Sequence, residues 1–301
     1  MVTMSGKPKR LITHSGQFHT DDVFVTALLL QLFPDAEVIR SRDEAVFGTG
    51  DIVYDVGKIY DPSRGRYDHH QEQAGRRESG IVYSSFGLVW KEYGVAYCDG
   101  NEAVARIIEQ KLVTPIDAND NGQAISVPSY EGVYPFTIDD IIGMYNPLRW
   151  LHDDGDYDAQ FHTAVQLAQG VLSRLRDSIQ DSFASQKALL DAYAHAADKR
   201  IAVTKKPTEV REVIDQCPEL LYVISERPEK TWSILAVPEG AKSFTPRRPF
   251  PMTWRGKPAA ELSAITSVPD VLFCHVNGFY AVAQSREGAI ALAQNALATM
   301  D

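Results

Sequence analysis

The stretch RYDHHQ, at residues 66–71, places an aspartate and two histidines side by side. Three ionisable side chains in a row, Asp68, His69 and His70, are costly in a hydrophobic core because charged groups lose their hydration on burial. Imidazole and carboxylate groups are, in contrast, ligands of many divalent cations. The stretch therefore suggests a metal site whose remaining ligands come from other parts of the chain.

A second group of candidate ligands occurs in THSGQFHTDD, at residues 13–22, which contains His14, His19, Asp21 and Asp22. For Asp22, the alternative to a role as ligand is a role as helix N-cap only. Further carboxylates follow later in the chain: Asp55, and one of Asp117 and Asp120, which the sequence does not separate. These groups suffice for two divalent cations. A single carboxylate can bridge two ions about 3.5–4 Å apart, as two-metal phosphoryl-transfer sites require. We expect Asp55 to be this bridge.

The ligand types indicate which metal to expect. The candidate set combines imidazole and carboxylate groups and contains no cysteine. Such a set favours Mn²⁺, with Mg²⁺, Zn²⁺ and Fe²⁺ as alternatives. Isolated histidines are more often structural, but here several candidates recur at the ends of successive predicted elements, which favours a metal site.

Strand and helix patterns alternate through the first half of the chain. RLITH, AEVIRS and DIVYDVG are typical of short strands. Helical periodicity follows in residues 23–33, 86–93 and 104–112, and Asp21 or Asp22 is the expected cap of the first helix. This alternation predicts a parallel sheet, in which ligands bind beyond the carboxyl ends of the strands.

The candidate ligands fall at such ends. His14 ends the first predicted strand and Asp55 the third, while Asp68–His70 follow the hairpin-like DPSRGRYDHH. Asp117 and Asp120 lie in TPIDANDNG, after a helix predicted to end near Leu112. We therefore expect these side chains to converge at one edge of the sheet.

The second half predicts a smaller α/β domain. Apolar residues from Phe161 to Ile179 recur in steps of four and three, which predicts a long amphipathic helix. KRIAVT, LLYVIS, WSILAV and VLFCHV are typical of strands, and REGAIALAQNAL of a closing helix. The predicted organisation is an α/β protein with a parallel-sheet metal-binding domain at 1–145, a helical connector at 146–200 and a substrate-binding domain at 201–301.

A basic segment in this second domain bears on the substrate. No acidic residue occurs between Glu239 and Glu261, whereas cations alternate with aromatic residues there. Cations for phosphates and aromatic faces for bases suit single-stranded nucleic acid. The predicted contacts are Arg247, Arg248, Trp254 and Arg255. The alternative is a solvated basic loop whose aromatic side chains lie in the core.

Composition limits the function classes. The chain has 301 residues, a net charge of −10 and a pI near 5.3. This charge argues against electrostatic binding of nucleic acid over the whole surface, but it allows a local basic patch. Three widely spaced cysteines indicate reduced thiols. The longest apolar stretch, residues 23–33, is too short to span a bilayer. We expect a cytoplasmic protein without a targeting signal or membrane partner.

Several ordered motifs carry a family resemblance. THSGQFHTDD, VYDVG, YDHHQ and IDANDNG resemble, in this order, the motifs of the MYG1 (UPF0160) family within the DHH phosphoesterase superfamily. YNPLRW, FHTAVQLAQ, FPMTWRGK and HVNGFYAVAQSREGA extend the resemblance over nearly the whole chain. The resemblance implies a DHH-like domain, two divalent cations and a metal-dependent phosphodiesterase. The implied activity is that of a 3′–5′ exonuclease on single-stranded RNA or short oligonucleotides.

The resemblance also implies residue roles. His14, His19, Asp21, Asp55 and His69 would bind the metals, with Asp117 or Asp120 completing the second site. His70 would face the phosphate, and Asp55, Asp68 and His70 would form the catalytic set. In the second domain, Asn277, Gly278 and Arg286 would bind substrate. Two departures stand out: His19 is displaced by one residue from the His-x-x-x-Asp-x-Asp pattern, and Ala281 and Val282 replace expected glycines.

Two other functions remain open at this point. One is a small-molecule phosphatase or pyrophosphatase of the DHH type. The other is a metal-binding regulatory protein without catalysis, against which the intact ligand set argues. The basic aromatic segment favours an oligonucleotide, because pyrophosphate has no base to stack. The oligomeric state is not determined by the sequence, and a homodimer is compatible with it.

Overall fold

The computed structural model describes residues 9–71, 74–151 and 155–299. The chain divides into two compact units, the first ending at Ile179 and the second beginning at Gln180. This division falls inside the segment 146–200 that the sequence suggested as a connector, and the predicted domain bounds stay predictions. In the described ranges, no helix combines the length and apolar character needed to cross a membrane.

The first unit contains a five-stranded, mostly parallel sheet. Its strands are β1 (Arg10–Thr13), β2 (Glu37–Arg40), β3 (Ile52–Tyr54), β4 (Tyr60–Asp61) and β5 (Arg66–Tyr67). The spatial order is β2-β1-β3-β5-β4. All neighbours pair in parallel except β4 and β5, which form an antiparallel hairpin at one edge. The expectation of a mixed α/β protein with a mainly parallel first sheet is confirmed.

The hairpin depends on a glycine. A short 3₁₀ turn, Pro62–Arg64, follows β4, and Gly65 then adopts φ 67°, a left-handed conformation that glycine tolerates best. A Cβ atom at Gly65 would overlap the carbonyl oxygen of Asp51. The tight turn returns the chain into β5, so that Asp68–His70 leave the sheet beside the end of β3.

In the described part of the chain, six α-helices precede the long helix that spans the division between the units. They are α1 (Thr20–Leu32), α2 (Glu44–Phe47), α3 (Ser85–Tyr97), α4 (Glu102–Ile108), α5 (Thr114–Asp120) and α6 (Ile138–Gly143), with a π-helical turn, Glu109–Val113, joining α4 to α5. The expectation that the first helix starts after Asp21 or Asp22 is wrong: His19 is its N-cap, and both carboxylates lie in its first turn.

The packing of α1 follows from its composition. Its sequence TDDVFVTALLLQL is apolar on nearly all sides, and Val23, Phe24, Leu28 and Leu29 are fully buried. A helix that is hydrophobic all round belongs in a protein interior. The helix packs against α3 and α5, so its polar N-terminal turn is also held inside the unit.

The second unit is built on another five-stranded sheet. Helix α7 (Tyr157–His195) extends into it and is longer than the predicted 161–179. The strands are β6 (Ile201–Thr204), β7 (Tyr222–Glu226), β8 (Trp232–Ala236), β9 (Val271–Cys274) and β10 (Tyr280–Ala283), in the order β6-β7-β8-β10-β9. Only β6 and β7 pair in parallel; the other described pairs are antiparallel. Helices α8 (Ala259–Thr266) and α9 (Arg286–Ala298) complete the described elements. The sequence patterns did not predict β10.

Candidate metal centre

Three neighbouring strand ends bring the predicted ligands together. Strands β1, β3 and β5 are adjacent and parallel, so their carboxyl ends meet at one edge of the sheet. His14 follows β1, Asp55 follows β3 and Asp68 follows β5. All three are at least 97 % buried. Polar side chains gathered in an interior need partners or bound ions, because burying an unpaired charge is unfavourable.

Asp55 lies at the middle of this group. Its Oδ2 atom is 3.1 Å from Nε2 of His14, and its Oδ1 atom is 3.3 Å from Nε2 of His69. The two oxygens of one carboxylate therefore face two different histidines. The backbone of Asp55 has φ 53°, in the left-handed region that aspartate tolerates better than most residues. Such strain is most often retained at functional sites.

The first turn of α1 supplies further groups. The amide of His19 donates to Oδ1 of Asp22 at 2.9 Å, which satisfies a helix N-terminal position. The other oxygen of Asp22 is 3.4 Å from Nε2 of His14. Asp22 is therefore more than a cap, because it also joins the cluster.

Asp21 is the candidate ligand with the most direct need for a partner. Its side chain is fully buried, and neither carboxylate oxygen has a hydrogen-bond partner among the described residues. Its Oδ2 atom is 3.9 Å from Nε2 of His69. A buried carboxylate without donors is rare and calls for an explanation such as a bound ion. A divalent cation between Asp21 and His69 would satisfy the Asp21 carboxylate.

The structure distinguishes Asp117 from Asp120, both of which lie on α5. Asp120 reaches the cluster, with Oδ2 3.3 Å from Nε2 of His69. Asp117 is held elsewhere: its carboxylate accepts hydrogen bonds from Arg77, from the amide and hydroxyl of Ser84 and from the amide of Gly87. Because hydrogen bonds already satisfy its oxygens, the structure favours a structural role for Asp117 and Asp120 as the candidate ligand.

Among the described residues, four groups of side chains place their potential ligand atoms within 4.8 Å of one another. The groups are His14–His19–Asp55, Asp55–His69–His70, His19–Asp21–Asp120 and Asp21–Asp22–Asp55. Asp55 belongs to three of them. The donor set contains only imidazole nitrogens and carboxylate oxygens, which suits a borderline or hard divalent cation. These groups have the ligand types and spacing to bind metal ions.

Electrostatics supports the same conclusion. Burial raises the pKa of Asp22 to about 7 and that of Asp120 to about 6, and burial together with Asp55 and Asp120 raises the pKa of Asp21. The pKa of Asp55 is lowered, because hydrogen bonds from His14 and His69 outweigh its burial. Several carboxylates in one buried site repel each other, so they must bind either protons or cations.

Asp68 orients His70 instead of joining the cluster. Oδ1 of Asp68 accepts from Nδ1 of His70 at 2.7 Å and from the His70 amide at 2.8 Å, while Oδ2 accepts from the amide of Lys58. This contact raises the pKa of His70. The side chain of His70 is 55 % exposed. It can therefore meet a ligand in the cavity above the cluster, with its orientation fixed from below.

A cavity of about 630 Å³ opens over these residues. Besides predicted ligands, its lining includes polar residues that the sequence did not single out: Gln17, Gln71, Asn119, Asn121, Asp139 and Asn146. The sequence analysis also did not identify Arg42, whose Nη2 atom lies 3.1 Å from Nδ1 of His14 in the structure. The proximity of Asn119 and Asn121 to Asp120 in sequence was the available signal. Nothing in the sequence indicated the others.

The predicted substrate contacts in the second unit need a correction. Trp254 is only 3 % exposed, and its ring stacks at 6.1 Å on Phe250, which stacks in turn on Tyr222. A side chain packed in this way has no free face for a base. The prediction for Trp254 is wrong, and the alternative of an aromatic side chain in the core is correct.

The predicted arginines also have structural partners. Arg247 donates to the carbonyls of Ile214, Cys217, Pro218 and Leu220. Arg248 donates to the carbonyls of Leu297 and Thr299, and Arg255 to that of Phe250. These guanidinium groups satisfy backbone oxygens of their own unit, so phosphate binding is not needed to explain them.

The remaining predicted contacts lie around β10. Asn277 is exposed and Gly278 is buried, with φ 68° in the turn before the strand. Arg286 is exposed at the start of α9, where its Nη1 atom is 3.9 Å from Glu287. Their assignment to substrate binding stays a prediction.

Comparison with known proteins identifies the family. The family described as "Uncharacterised protein family (UPF0160)", whose model is named MYG1_exonuc, matches residues 10–297. The MYG1 exonuclease of Homo sapiens is 30 % identical to this chain over 97 % of it and 86 % of the human protein. A MYG1 protein of Caenorhabditis elegans is 30 % identical over 95 % of this chain and 94 % of its own.

A MYG1 protein of Saccharomyces cerevisiae is likewise 30 % identical, over 96 % of both chains. No solved structure matches the chain significantly. The motifs at residues 13–22, 53–57, 67–71 and 116–122, which gave rise to the resemblance, all lie inside the matched range. The chain belongs to the MYG1 (UPF0160) family.

Proposed function

We propose that this protein is a metal-dependent phosphodiesterase that removes nucleotides from the 3′ end of single-stranded RNA or short oligonucleotides. The observation that carries the proposal is the Asp55 carboxylate, whose two oxygens face His14 and His69 within a buried cluster of aspartates. The name of the human relative, an exonuclease, supports the reaction class. The order of the motifs supports a centre of the DHH phosphoesterase type.

Two divalent cations would be held by overlapping sets of side chains, with Mn²⁺ preferred. His14, His19 and Asp55 would bind one ion. Asp21, Asp55, His69 and Asp120 would bind the other. Divalent cations of this kind lower the pKa of a bound water and stabilise negative charge on phosphoryl oxygens.

His70 would act on the substrate directly. The hydrogen bond from Nδ1 to Asp68 fixes the ring and, by raising the pKa of His70, favours the imidazolium form. In that form, Nε2 is also a donor. A donor held in place toward a phosphoryl oxygen stabilises the charge that builds there in the transition state. Asp68 would thus be a positioning residue, and His70 a catalytic one.

The cavity favours a phosphodiester over pyrophosphate. Among the described residues that line it, none is lysine or arginine. A phosphodiester linkage carries one negative charge, whereas pyrophosphate carries several and would gain from surrounding cations. The asparagine and glutamine side chains of the lining can donate hydrogen bonds to sugar and phosphate oxygens. The DHH-type pyrophosphatase is therefore the weaker alternative.

A substrate panel tests the proposal. The full-length protein would be incubated with single-stranded RNA labelled at its 5′ end, with the same RNA blocked by a 3′-terminal phosphate, and with pyrophosphate, each with Mn²⁺ or a chelator. We expect stepwise shortening of the unblocked RNA with Mn²⁺ only. Faster release of phosphate from pyrophosphate than of nucleotides from RNA would overturn the assignment. Equal shortening of the 3′-blocked and the unblocked RNA would contradict the 3′ polarity.

A further inference from the structure

A second cavity adjoins the metal centre within the first unit. It has a volume of about 490 Å³ and is lined by Gln17, Asn146, the segment 147–151 and Tyr157. Gln17 and Asn146 also line the cavity above the metal-binding residues. The two cavities are therefore neighbours that share one wall. A chain-like substrate bound at the metal centre can continue into the second cavity.

Asn146 fixes this wall to the loop that carries the ligands. Its Nδ2 atom donates to the carbonyl of Phe18 at 2.9 Å, and its Oδ1 atom accepts from the amide of Phe18 at 3.1 Å. Phe18 lies between His14 and His19, and it is buried. Through this pair of hydrogen bonds, the position of the second cavity is tied to that of the metal ligands.

Trp150 offers a free aromatic surface in the second cavity. Its side chain is fully exposed, at 101 % of the reference value. The side chains of Trp90 and Trp254, in contrast, are 3 % exposed, and Trp232 is partly buried. A fully solvated tryptophan is unusual, because its ring gains much from burial. Beside a proposed nuclease centre, the ligand that best matches such a ring is a nucleobase, which stacks on it without regard to sequence.

A positive charge accompanies this ring. Nε of Arg149 donates to the hydroxyl of Tyr157 at 2.6 Å, and the guanidinium lies 5.2 Å from the centroid of the Tyr157 ring. These contacts hold the guanidinium in place. No hydrogen bond from its terminal nitrogens to another described residue is found, and a guanidinium group binds phosphate with good geometry.

We propose that Trp150 and Arg149 form a nucleotide-binding subsite for single-stranded nucleic acid. Trp150 stacks on a base next to the linkage at the metal centre, and Arg149 contacts the adjoining backbone phosphate. The subsite rests on the proposed function, since it serves a substrate cleaved at the metal centre. The subsite supplies an aromatic and a cationic contact in the first unit. In the second unit, Trp254 is buried and the predicted arginines have backbone partners.

The test compares a normal oligonucleotide with one that lacks bases near its 3′ end. Trp150→Ala should reduce the preference, in kcat/KM, for the normal over the abasic substrate by about 5- to 150-fold, the loss expected for one stacked base. Trp150→Phe should restore most of the preference. Tyr130→Ala is the matched control, because Tyr130 is 75 % exposed in the same unit and lines neither cavity.

An unchanged preference in Trp150→Ala, or an equal loss in Tyr130→Ala, would overturn the subsite. Arg149→Gln adds a second criterion: the slope of log affinity against log salt should become shallower by about 0.7, as for one phosphate contact on a single strand. An unaltered slope would remove Arg149 from the proposal.

A binding measurement separates this proposal from the proposed function. Stacking on Trp150 should quench tryptophan fluorescence when the wild type is titrated with a normal oligonucleotide, and the quenching should disappear in Trp150→Phe. If the wild type cleaves no oligonucleotide, the proposed function fails, and this titration decides the subsite alone. Quenching of equal size in both proteins, or in neither, would contradict stacking on Trp150.

Discussion

Asp117 and Asp120 are three residues apart on α5, yet their surroundings differ. Asp117 accepts hydrogen bonds from Arg77, Ser84 and Gly87, and Asp120 faces His69 and the carboxylate cluster. A carboxylate surrounded by donors stabilises the fold, whereas a buried carboxylate among other carboxylates needs a bound proton or cation. The pair thus provides matched variants on one helix, which separate folding from metal binding.

We expect Asp117→Ala to destabilise the protein by roughly 3–5 kcal/mol, because it removes the acceptor of Nη1 of Arg77 and of the buried donors of Ser84 and Gly87. Asp120→Ala should lower metal affinity and leave the free energy of unfolding of the chelated protein unchanged or higher, since it removes a repelling charge. Chemical denaturation after chelation, with metal titration of each variant, measures both effects. Similar losses of stability in the two variants would contradict the assignment.

His70 is predicted to act in chemistry and not in metal binding. His70→Ala should retain nearly normal metal content and lower kcat by about 10²–10³-fold, the usual effect of removing one donor to a developing charge. Metal analysis and steady-state kinetics on the same preparation are the measurements. Loss of an ion in this variant would make His70 a ligand.

At the scale of elements, strand ends were the most informative part of the sequence. His14 and Asp55 each follow a short apolar run, and Asp68 follows the hairpin-like segment. Parallel strands bring their carboxyl ends to one edge of the sheet. The prediction of a mixed α/β fold succeeded because the alternation of strand and helix patterns is local in the sequence. The choice between Asp117 and Asp120 depends on Arg77 and Ser84, distant in sequence, and no local pattern encodes it.

Other features also depend on residues that are distant in sequence, so the sequence did not predict them. The basic segment around Trp254 has the composition of a nucleic-acid contact, but tertiary packing against Phe250 decides that the ring is buried. Strand β10 follows a tight turn at Asn277–Gly278, and this segment was assigned to substrate binding and not to a strand. Arg42 and Asn146 approach the site through folding alone.

Trp254→Ala tests the role of this segment. It should lower the free energy of unfolding by about 3–5 kcal/mol, as expected for removing a large buried aromatic side chain. Phe244→Ala, in the same basic segment but with a side chain that is 91 % exposed, should change it by less than about 0.5 kcal/mol. Urea denaturation of both variants gives the comparison. A stable Trp254→Ala protein with weakened RNA binding would restore the original prediction of base stacking.

For the whole molecule, the carboxylate cluster predicts how stability depends on pH. Without metal, burial raises the pKa of Asp22 to about 7 and of Asp120 to about 6, against about 3.9 in the unfolded chain. Between about pH 4 and 7 the folded state therefore binds more protons than the unfolded state, so its stability falls as pH rises. Burial lowers the pKa values of His14 and His69, but their contacts with Asp55 raise them above the usual value, so both histidines add to the fall in stability with pH. Burial lowers the pKa of His19, which opposes the fall in stability.

Melting temperatures of the chelated protein from pH 5 to pH 8 should accordingly decrease. Saturating Mn²⁺ should raise the melting temperature most at the upper end, because ions that bind only the folded state stabilise it and compete with protons for the same ligands. A chelated protein whose stability rises steadily over this range would show that the carboxylates are not close together in solution.

The central claim is that Asp55 is shared by two cations that perform phosphodiester hydrolysis. Its most direct test is to measure bound Mn²⁺ per chain by equilibrium dialysis, with RNA hydrolysis on the same samples, for the wild type and Asp55→Asn. We predict two ions and activity in the wild type, and fewer ions with no detectable hydrolysis in the variant. Two bound ions and undiminished hydrolysis in Asp55→Asn, or a wild type that hydrolyses RNA without any bound ion, would contradict the account.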